Sequence, residues 1–255
     1  EPIAITDGLN FGNPEKPEVY YQLEQSIIGI SEACRALDTP VIGGNASLYN
    51  QTPEFGSIYP TPIIGMTGLV KSLDHVMTME FKNEGDFVIL IGETKEELGA
   101  SEYLDVIHNL VSGDVPELDL ALERKAQDYV LDIIRQGLVK SAHDLGDGGL
   151  AVALAESCIA GELGANVSLD LDMRADALLF GESQTRFLLS ADETSTDKIV
   201  ELAAQQGLEA AVIGKVTQLQ NIIIHNMDEK LIDISVGNCQ EAFATGFDKL
   251  MKTDS

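Results

Sequence analysis

The spacing of apolar residues near the start of the chain predicts a strand, a long helix and a second strand. Ile3–Thr6 has the composition of a short strand, and a turn-rich loop follows it. From Pro17 onward, apolar residues recur at intervals of three and four, which predicts a helix with one apolar face. The residues of this face are Leu23, Ile27, Ile30, Cys34 and Leu37. Asp38 and Pro40 end the helix, and a strand follows that leads into a Gly-Gly-Asn turn.

The remainder of the chain alternates between strand-like and helix-like segments. Further strands are predicted at residues 60–70, 87–92, 139–144, 166–171, 187–191, 210–216 and 221–226. Helices are predicted near residues 101–112, 118–137, 148–160, 195–206 and 239–251. This alternation predicts an α/β (α+β) protein. A polar, turn-like stretch at residues 79–86 suggests two domains, 1–80 and 81–255.

The charge balance narrows the choice of partners. The formal net charge is −26, with only 16 Lys and Arg residues, which argues against nucleic acid and against anionic membranes as partners. The longest apolar runs, such as Phe87–Ile91, are too short to cross a bilayer. No secretory signal opens the chain, so we expect a cytoplasmic protein. Because the chain begins at Glu1, beside a strand and without an initiator Met, we expect a piece of a larger enzyme.

The three cysteines indicate a reducing environment rather than a metal site. They are isolated in apolar helical patterns, with no Cys-x-x-Cys or Cys/His cluster, which argues against zinc. We expect reduced, buried thiols at Cys34, Cys158 and Cys239.

Two segments near the start carry candidate chemistry. The first runs from Thr6 to Pro14, where Asp7 could hold a metal-bound phosphate or a nucleotide group. In the second, 43–47, two glycines leave N–H groups free for an anion, and Asn45 offers a neutral oxygen suited to Mg²⁺. Ser47 could bind a phosphate or a substrate hydroxyl. A strand–helix–strand unit can bring both segments to one sheet edge, although a structural loop and a simple bulge or hairpin explain the same residues.

Glycine-rich residues 144–149 form a further candidate, because a glycine turn at a helix N-terminus can bind phosphate through free N–H groups. Asp144 and Asp147 in that turn would require an intervening Mg²⁺, since carboxylates repel phosphate. A plain N-cap and turn is the alternative.

Several long stretches resemble the phosphoribosylformylglycinamidine synthase family, in its small, multi-subunit type. They are LNFGNPEKPE, ISEACRALDTPV, GNASLYN, HDLGDGGLAVALAE and FGESQTR, so the resemblance covers nearly the whole chain. It implies the second half of the synthetase subunit. The implied fold is aminoimidazole ribonucleotide synthetase-like, with an N-terminal α/β domain truncated at its start and a C-terminal α/β domain.

The resemblance also implies an activity and its partners. Family members use ATP, Mg²⁺ and ammonia from glutamine to convert formylglycinamide ribonucleotide to the amidine in purine biosynthesis. The implied partners are a glutamine amidotransferase subunit, a small bridging subunit and the N-terminal half of the synthetase.

The resemblance assigns site residues by position. Asp7 and Gly44 would contact ATP, Asn45 would bind Mg²⁺ and Ser47 would contact the ribonucleotide. The catalytic His of the family lies in the other half, so no catalytic residue is expected here. Asp144 would be a metal ligand of an auxiliary nucleotide site, with Gly146 near the nucleotide.

The Glu182-Ser183-Gln184 motif touches substrate in the other half of the family chain, and the resemblance leaves its role in this half open. One alternative function is a non-catalytic nucleotide-binding or scaffold module that is inactive alone. A related selenophosphate synthetase or thiamine-phosphate kinase would need a Cys or Lys near an N-terminal Gly-rich or Asp-rich segment, which this sequence does not show.

Overall fold

The computed structural model describes the backbone of residues 1–252 and the side chains of residues 1–249 and 251. The chain divides into two compact units, Glu1–Val76 and the residues from Met77 onward. Each unit is described by itself. None of the helices within residues 1–252 is long and apolar enough to cross a membrane.

The first unit is a small sheet with one long helix. Its elements are β1 (Pro2–Asn10), α1 (Pro17–Leu37), β2 (Val41–Ser47), β3 (Gln51–Thr52), β4 (Gly56–Ser57) and β5 (Thr61–Gly68). The main sheet has the order β2-β1-β5, with β1 parallel to β2 and antiparallel to β5. Helix α1 therefore makes the crossover between two parallel neighbours.

The long helix predicted from residue 17 is confirmed as α1. Pro17 stands at the start, where its missing N–H costs no hydrogen bond. Asp38 ends the helix in a left-handed conformation, with φ of 55°, and the N–H of Asp38 donates to the Cys34 carbonyl. Val19 is buried, whereas the predicted apolar face is half-buried at most positions and Ile27 is exposed.

The outer strands of this sheet expose apolar side chains. Ile42 on β2 is 68% exposed, and Ile63 and Met66 on β5 are 60% and 53% exposed. Scattered exposed apolar residues are ordinary, but these belong to the two outer strands of one small sheet, and Ile63 and Met66 lie on its opposite faces. The sheet surface thus has the composition of an interface.

The predicted loop before α1 begins at Phe11 rather than after Thr6, and the predicted Gly-Gly-Asn turn is wrong. Strand β1 continues to Asn10, and residues 43–45 lie inside β2. The reason is long-range pairing, because Asp7 pairs with Gly44 on one side and Ile64 on the other. Ladder hydrogen bonds between strands override the turn preference of glycine and asparagine.

The second unit is built on a seven-stranded sheet. Its strands are β6 (Phe87–Ile91), β7 (Ser141–Asp144), β8 (Gly164–Leu169), β9 (Phe187–Ala191), β10 (Ala210–Thr217), β11 (Asn221–Asn226) and β12 (Glu229–Ser235). Its helices are α2 (Glu102–His108), α3 (Leu120–Arg135), α4 (Gly149–Gly161), α5 (Ala175–Phe180), α6 (Glu193–Gln205) and α7 (Val236–Lys252). The strand order is β12-β11-β8-β10-β6-β9-β7, and β11 and β8 are parallel.

Both faces of this sheet are covered by helices. On the inner strand β6, Val88 and Leu90 join a core with α4 and α5, while Ile89 and Ile91 join a separate core with α3 and α6. The alternation follows from the two-residue period of a strand. Cys158 of α4 lies fully buried in the first core, and burial raises the pKa of its thiol to about 12. This thiol therefore stays protonated and unreactive at neutral pH.

Several predicted elements of this unit change in length or number. Helix α2 ends at His108 rather than near residue 112, because Asn109 adopts a left-handed conformation with φ of 50°. Helix α5 and strand β12 were not predicted. Helix α5 has only six residues, too few to show a helical repeat of apolar positions. The hairpin that joins β11 to β12 has a charged turn before Lys230, and the sequence pattern there does not indicate a strand.

The carboxylate of Asp192, the residue that caps the N-terminus of α6, makes the stability of the second unit depend on pH. The Asp192 carboxylate accepts hydrogen bonds from the Thr194 hydroxyl (2.7 Å) and the Ser195 N–H (3.0 Å), and lies 3.3 Å from Lys140 Nζ. These contacts lower the pKa of Asp192 to about 2. Because this folded pKa is depressed, the stabilisation is complete above the unfolded pKa of about 4 and is lost as the pH falls towards 2.

We therefore expect Asp192→Asn to lower the urea midpoint at pH 6, with a difference from the parent that shrinks steadily between pH 4 and pH 3. Asp197→Asn, an exposed position on the same helix, is the control and should show no such trend. A midpoint difference for Asp192→Asn that stays constant with pH would contradict the assignment.

Candidate functional site

Asp7 and Gly44 face each other across β1 and β2. The two residues are paired in the parallel ladder, so both point to the same face of the sheet. A β-carbon on Gly44 would overlap both the carbonyl oxygen and the carboxylate of Asp7. The close packing of Asp7 against β2 therefore requires glycine at position 44.

Asn45 and Ser47 lie on the opposite face of the same strands. Asn45 pairs with Gly8 and Ser47 pairs with Asn10. A β-carbon on Gly8 would lie 3.3 Å from Asn45 Oδ1, so the Asn45 amide lies over the small residue beside it. The four residues predicted from sequence are thus brought together in pairs, one pair on each face of one sheet.

Asn50 is a polar residue of this region that the sequence did not single out. Its amide Nδ2 donates to the Ser47 carbonyl (2.8 Å), to Ser47 Oγ (3.1 Å) and to the Phe11 carbonyl (3.2 Å). The Phe11 N–H in turn donates to the Ser47 carbonyl at 3.0 Å, and the Phe11 side chain is fully buried. Asn50 therefore fixes the Ser47 hydroxyl at the shared end of β1 and β2.

The residues near Asn45 supply only part of a magnesium site. Within residues 1–252, no three His, Cys, Asp or Glu side chains come close enough to ligate one ion. Asn45 is exposed and offers a neutral oxygen, but Mg²⁺ in proteins takes one or two carboxylates together with waters and substrate phosphates. Asn45 thus fits Mg²⁺ as a single ligand that needs further oxygens from a bound nucleotide.

Asp144, the second metal candidate, is the last residue of β7, and its carboxylate lies beside the imidazole of His143. His143 Nδ1 lies 3.5 Å from Asp144 Oδ1, and His143 Nε2 lies 2.9 Å from Glu156 Oε2. The hydrogen bond with Asp144 raises the pKa of His143, and the same bond lowers the pKa of Asp144. Gly146 two residues later is exposed.

A cavity of about 470 Å³ lies beside Asp144. Its polar lining includes Glu123, Gln127, His143, Asp144 and Thr185. Glu123 and Asp144 of this wall would repel a phosphate, and the lining also includes the buried Arg186.

Two amides of the turn before α4, which the sequence offers as a phosphate site, already donate within the second unit. The Gly148 N–H donates to Glu182 Oε1 at 3.0 Å, and the Gly149 N–H donates to the Gly146 carbonyl at 3.0 Å. Glycine is nevertheless required at 149, where φ is +63° and a β-carbon would overlap the Gly181 carbonyl.

The motif containing Glu182, Ser183 and Gln184 is mostly engaged in contacts within the second unit. Ser183 Oγ accepts from the Lys95 N–H at 3.2 Å, and Thr185 Oγ1 donates to Glu123 Oε2 at 2.6 Å. Arg186 is 1% exposed and donates to the Gly181 carbonyl (2.5 Å), the Ser183 carbonyl (3.0 Å) and Thr94 Oγ1 (3.3 Å). Burial lowers the pKa of Arg186 to about 10. Gln184 alone is exposed.

Comparison with known families gives two adjoining matches. The N-terminal domain of AIR synthase related protein matches residues 1–70, and its C-terminal domain matches residues 83–225. These matches parallel the two compact units of the chain.

Curated relatives match at high identity over part of their length. The chain is 47% identical, over 99% of its length, to phosphoribosylformylglycinamidine synthase subunit PurL of Alkaliphilus metalliredigens, and covers 34% of that protein. It is 53% identical, over 84% of its length, to the PurL subunit of Moorella thermoacetica, and covers 29% of it. The chain therefore spans about a third of the length of the curated relatives it matches.

Solved structures share the fold at lower identity. Thermotoga maritima PurL complexed with FGAR superposes with a TM-score of 0.76 at 22% identity, over 94% of this chain and 40% of that one. Escherichia coli HypE superposes with a TM-score of 0.66 at 15% identity, over 92% of this chain and 72% of that one.

Proposed function

We propose, given that the chain belongs to the AIR synthase related family, that it forms part of a phosphoribosylformylglycinamidine synthase, an ATP-dependent C–N ligase of purine biosynthesis. The observation that carries the proposal is the 47% identity to a PurL subunit over 99% of the chain. Identity at this level along nearly the whole chain favours a synthase subunit over the other activities that this fold supports.

In the proposed reaction, ATP phosphorylates the amide oxygen of formylglycinamide ribonucleotide, and ammonia then displaces phosphate to form the amidine. Phosphoryl transfer of this kind depends on positioning and charge stabilisation rather than on a protein nucleophile. Mg²⁺ would neutralise charge on the phosphates. The ammonia would come from a glutamine amidotransferase subunit that a small bridging subunit joins to the synthetase. A structure of PurLQS from Thermotoga maritima, which shares the fold, supports a multi-subunit assembly.

The first unit would supply one part of the ligand site. Asp7 and Gly44 would contact ATP, Asn45 would be one Mg²⁺ ligand, and Ser47 would bind the ribonucleotide. Structures of the Thermotoga protein with ATP, ADP and AMPPCP support a nucleotide in proteins of this fold. Because Asn45 lies on the face opposite Asp7 and Gly44, the nucleotide phosphates would have to reach around the sheet to share a Mg²⁺ ion with Asn45.

The remaining contacts would come from the rest of the synthetase. The apolar side chains exposed on β2 and β5 support this, because they give the sheet the composition of an interface. We assign residues 1–80 and 81–255 to the N-terminal and C-terminal synthetase-like domains of one half. Asp144 and Gly146 of the second domain would belong to an auxiliary nucleotide site.

A chimeric enzyme tests the proposal. This chain would replace its matching segment in the Alkaliphilus PurL subunit, and ammonia-dependent ADP release would be measured with the ribonucleotide substrate. We expect the chimera to be active and the isolated chain to be inactive, since the other half is needed. Asp7→Asn should lower the kcat/KM of the chimera at least about tenfold, the cost of losing one strong polar contact.

Asp74→Asn, an exposed position in the same unit, is the matched control and should leave the rate unchanged. Substrate-dependent turnover by the isolated chain would refute the division of the site between halves. An active chimera indifferent to Asp7→Asn would favour the alternative of a non-catalytic scaffold module.

A further inference from the structure

We infer that Glu182 is an internal anion that occupies one amide before α4 and one amide of α2, and that it is a positioning residue for these two distant segments. Glu182 Oε1 accepts the Gly148 N–H at 3.0 Å and the Glu102 N–H at 2.9 Å. Gly148 precedes α4, and Glu102 is the first residue of α2. One carboxylate oxygen therefore joins main-chain groups 34 and 80 residues away.

The negative charge of Glu182 is favourable beside the N-terminus of α4. The amide groups at the N-terminus of α4 carry partial positive charge, and a carboxylate there is stabilised by the helix dipole and by charge-assisted hydrogen bonds. Glu182 is partly buried, so water competes less for the carboxylate than at an open surface. The carboxylate thus satisfies the Gly148 N–H as a bound anion would.

The backbone of Glu182 is held on both sides. Before it, the Gly181 N–H donates to the Ala177 carbonyl at 2.9 Å, and the Gly181 carbonyl accepts from Arg186 Nη2. Beside it, the Glu182 N–H donates to the Glu97 carbonyl at 3.2 Å. These bonds fix the backbone at Glu182, so only the rotamer freedom of its side chain is lost when Glu182 binds the two amides.

This arrangement closes the Gly148 amide to an outside phosphate. A ligand phosphate that used the Gly148 N–H would have to displace Glu182 and leave a negative carboxylate beside itself. Any nucleotide near Asp144 and Gly146 would therefore be held without the Gly148 amide. The inference does not depend on the proposed synthase activity, because it concerns contacts within the second unit alone.

Site-resolved amide hydrogen exchange on the full chain tests the role of Glu182. In Glu182→Ala, we expect the Gly148 and Glu102 amides to exchange at least about tenfold faster, the loss of a charge-assisted bond of roughly 1.5–3 kcal/mol. Added formate, compared with chloride at equal ionic strength, should restore protection in this variant and leave the parent unchanged. Inorganic phosphate should shift the Gly148 amide resonance in Glu182→Ala and not in the parent.

Two further variants separate charge from packing. Glu182→Gln retains an oxygen acceptor without charge, so we expect a smaller acceleration and no formate effect. The control is Gln184→Ala, which removes a side-chain amide that donates to the Glu182 carbonyl at 3.0 Å. In this variant the Gly148 amide should stay protected. Unchanged Gly148 exchange in both Glu182 variants, or a phosphate shift at Gly148 in the parent, would overturn the inference.

Discussion

Arg186→Met should destabilise the second unit by about 3 kcal/mol. The substitution preserves side-chain length but leaves the Gly181 and Ser183 carbonyls without their donor, and each orphaned buried acceptor costs roughly 1–3 kcal/mol. Release of the buried positive charge offsets part of this loss, since burial already disfavours the charged form. The orphaned acceptors outweigh that gain because the parent guanidinium is hydrogen-bonded on three nitrogens.

Urea unfolding followed by far-ultraviolet circular dichroism measures this effect. Arg174→Met is the matched control, because Arg174 bonds to Asp176 on the surface and its side chain is 71% exposed. We expect that control to change stability by less than about 1 kcal/mol. Arg186→Lys should also fail to restore stability, since a single ammonium group cannot reproduce the geometry of the guanidinium fork. Equal losses for Arg174→Met and Arg186→Met would contradict a special role for the buried arginine.

The sequence predicts best those elements whose ends are set by residues close by in the chain. Helix α1 was predicted correctly at both ends because Pro17, Asp38 and Pro40 act within one turn of the helix. The length predicted for helix α2 is too great, because apolar residues continue in the sequence beyond Asn109, where the left-handed backbone ends the helix. The backbone conformation of Asn109 ends that helix, and the spacing of apolar residues cannot indicate the conformation of a single residue.

The missed features depend on residues far apart in sequence. The apparent turn at residues 43–45 is strand because β1 pairs with it, and the split of the site into two faces follows from that pairing. The bonds of Glu182 to Gly148 and Glu102 likewise join segments that no short motif contains. The sequence thus indicated which residues matter near Asp7, but not which faces they occupy.

Gly44→Ala should disrupt the pairing of β1 with β2. A β-carbon at position 44 would overlap the main-chain oxygen and the carboxylate of Asp7, and φ of +154° at Gly44 is unfavourable for alanine. The main-chain overlap cannot be relieved by a rotamer change, so one strand must move. We expect a cost of about 2–4 kcal/mol, at the upper end for overpacking because backbone strain is added.

Gly43→Ala is a matched control one residue away, since a β-carbon there meets nothing within 4 Å. Hydrogen exchange of peptides covering β1 and β2 should show at least about tenfold lower protection in Gly44→Ala and parent-like protection in Gly43→Ala. Asp7→Ala combined with Gly44→Ala should recover only part of the loss, because the Asp7 carbonyl remains in place. Full recovery in the double variant would show that the carboxylate alone requires glycine at position 44, and that β1 itself can accept a side chain there.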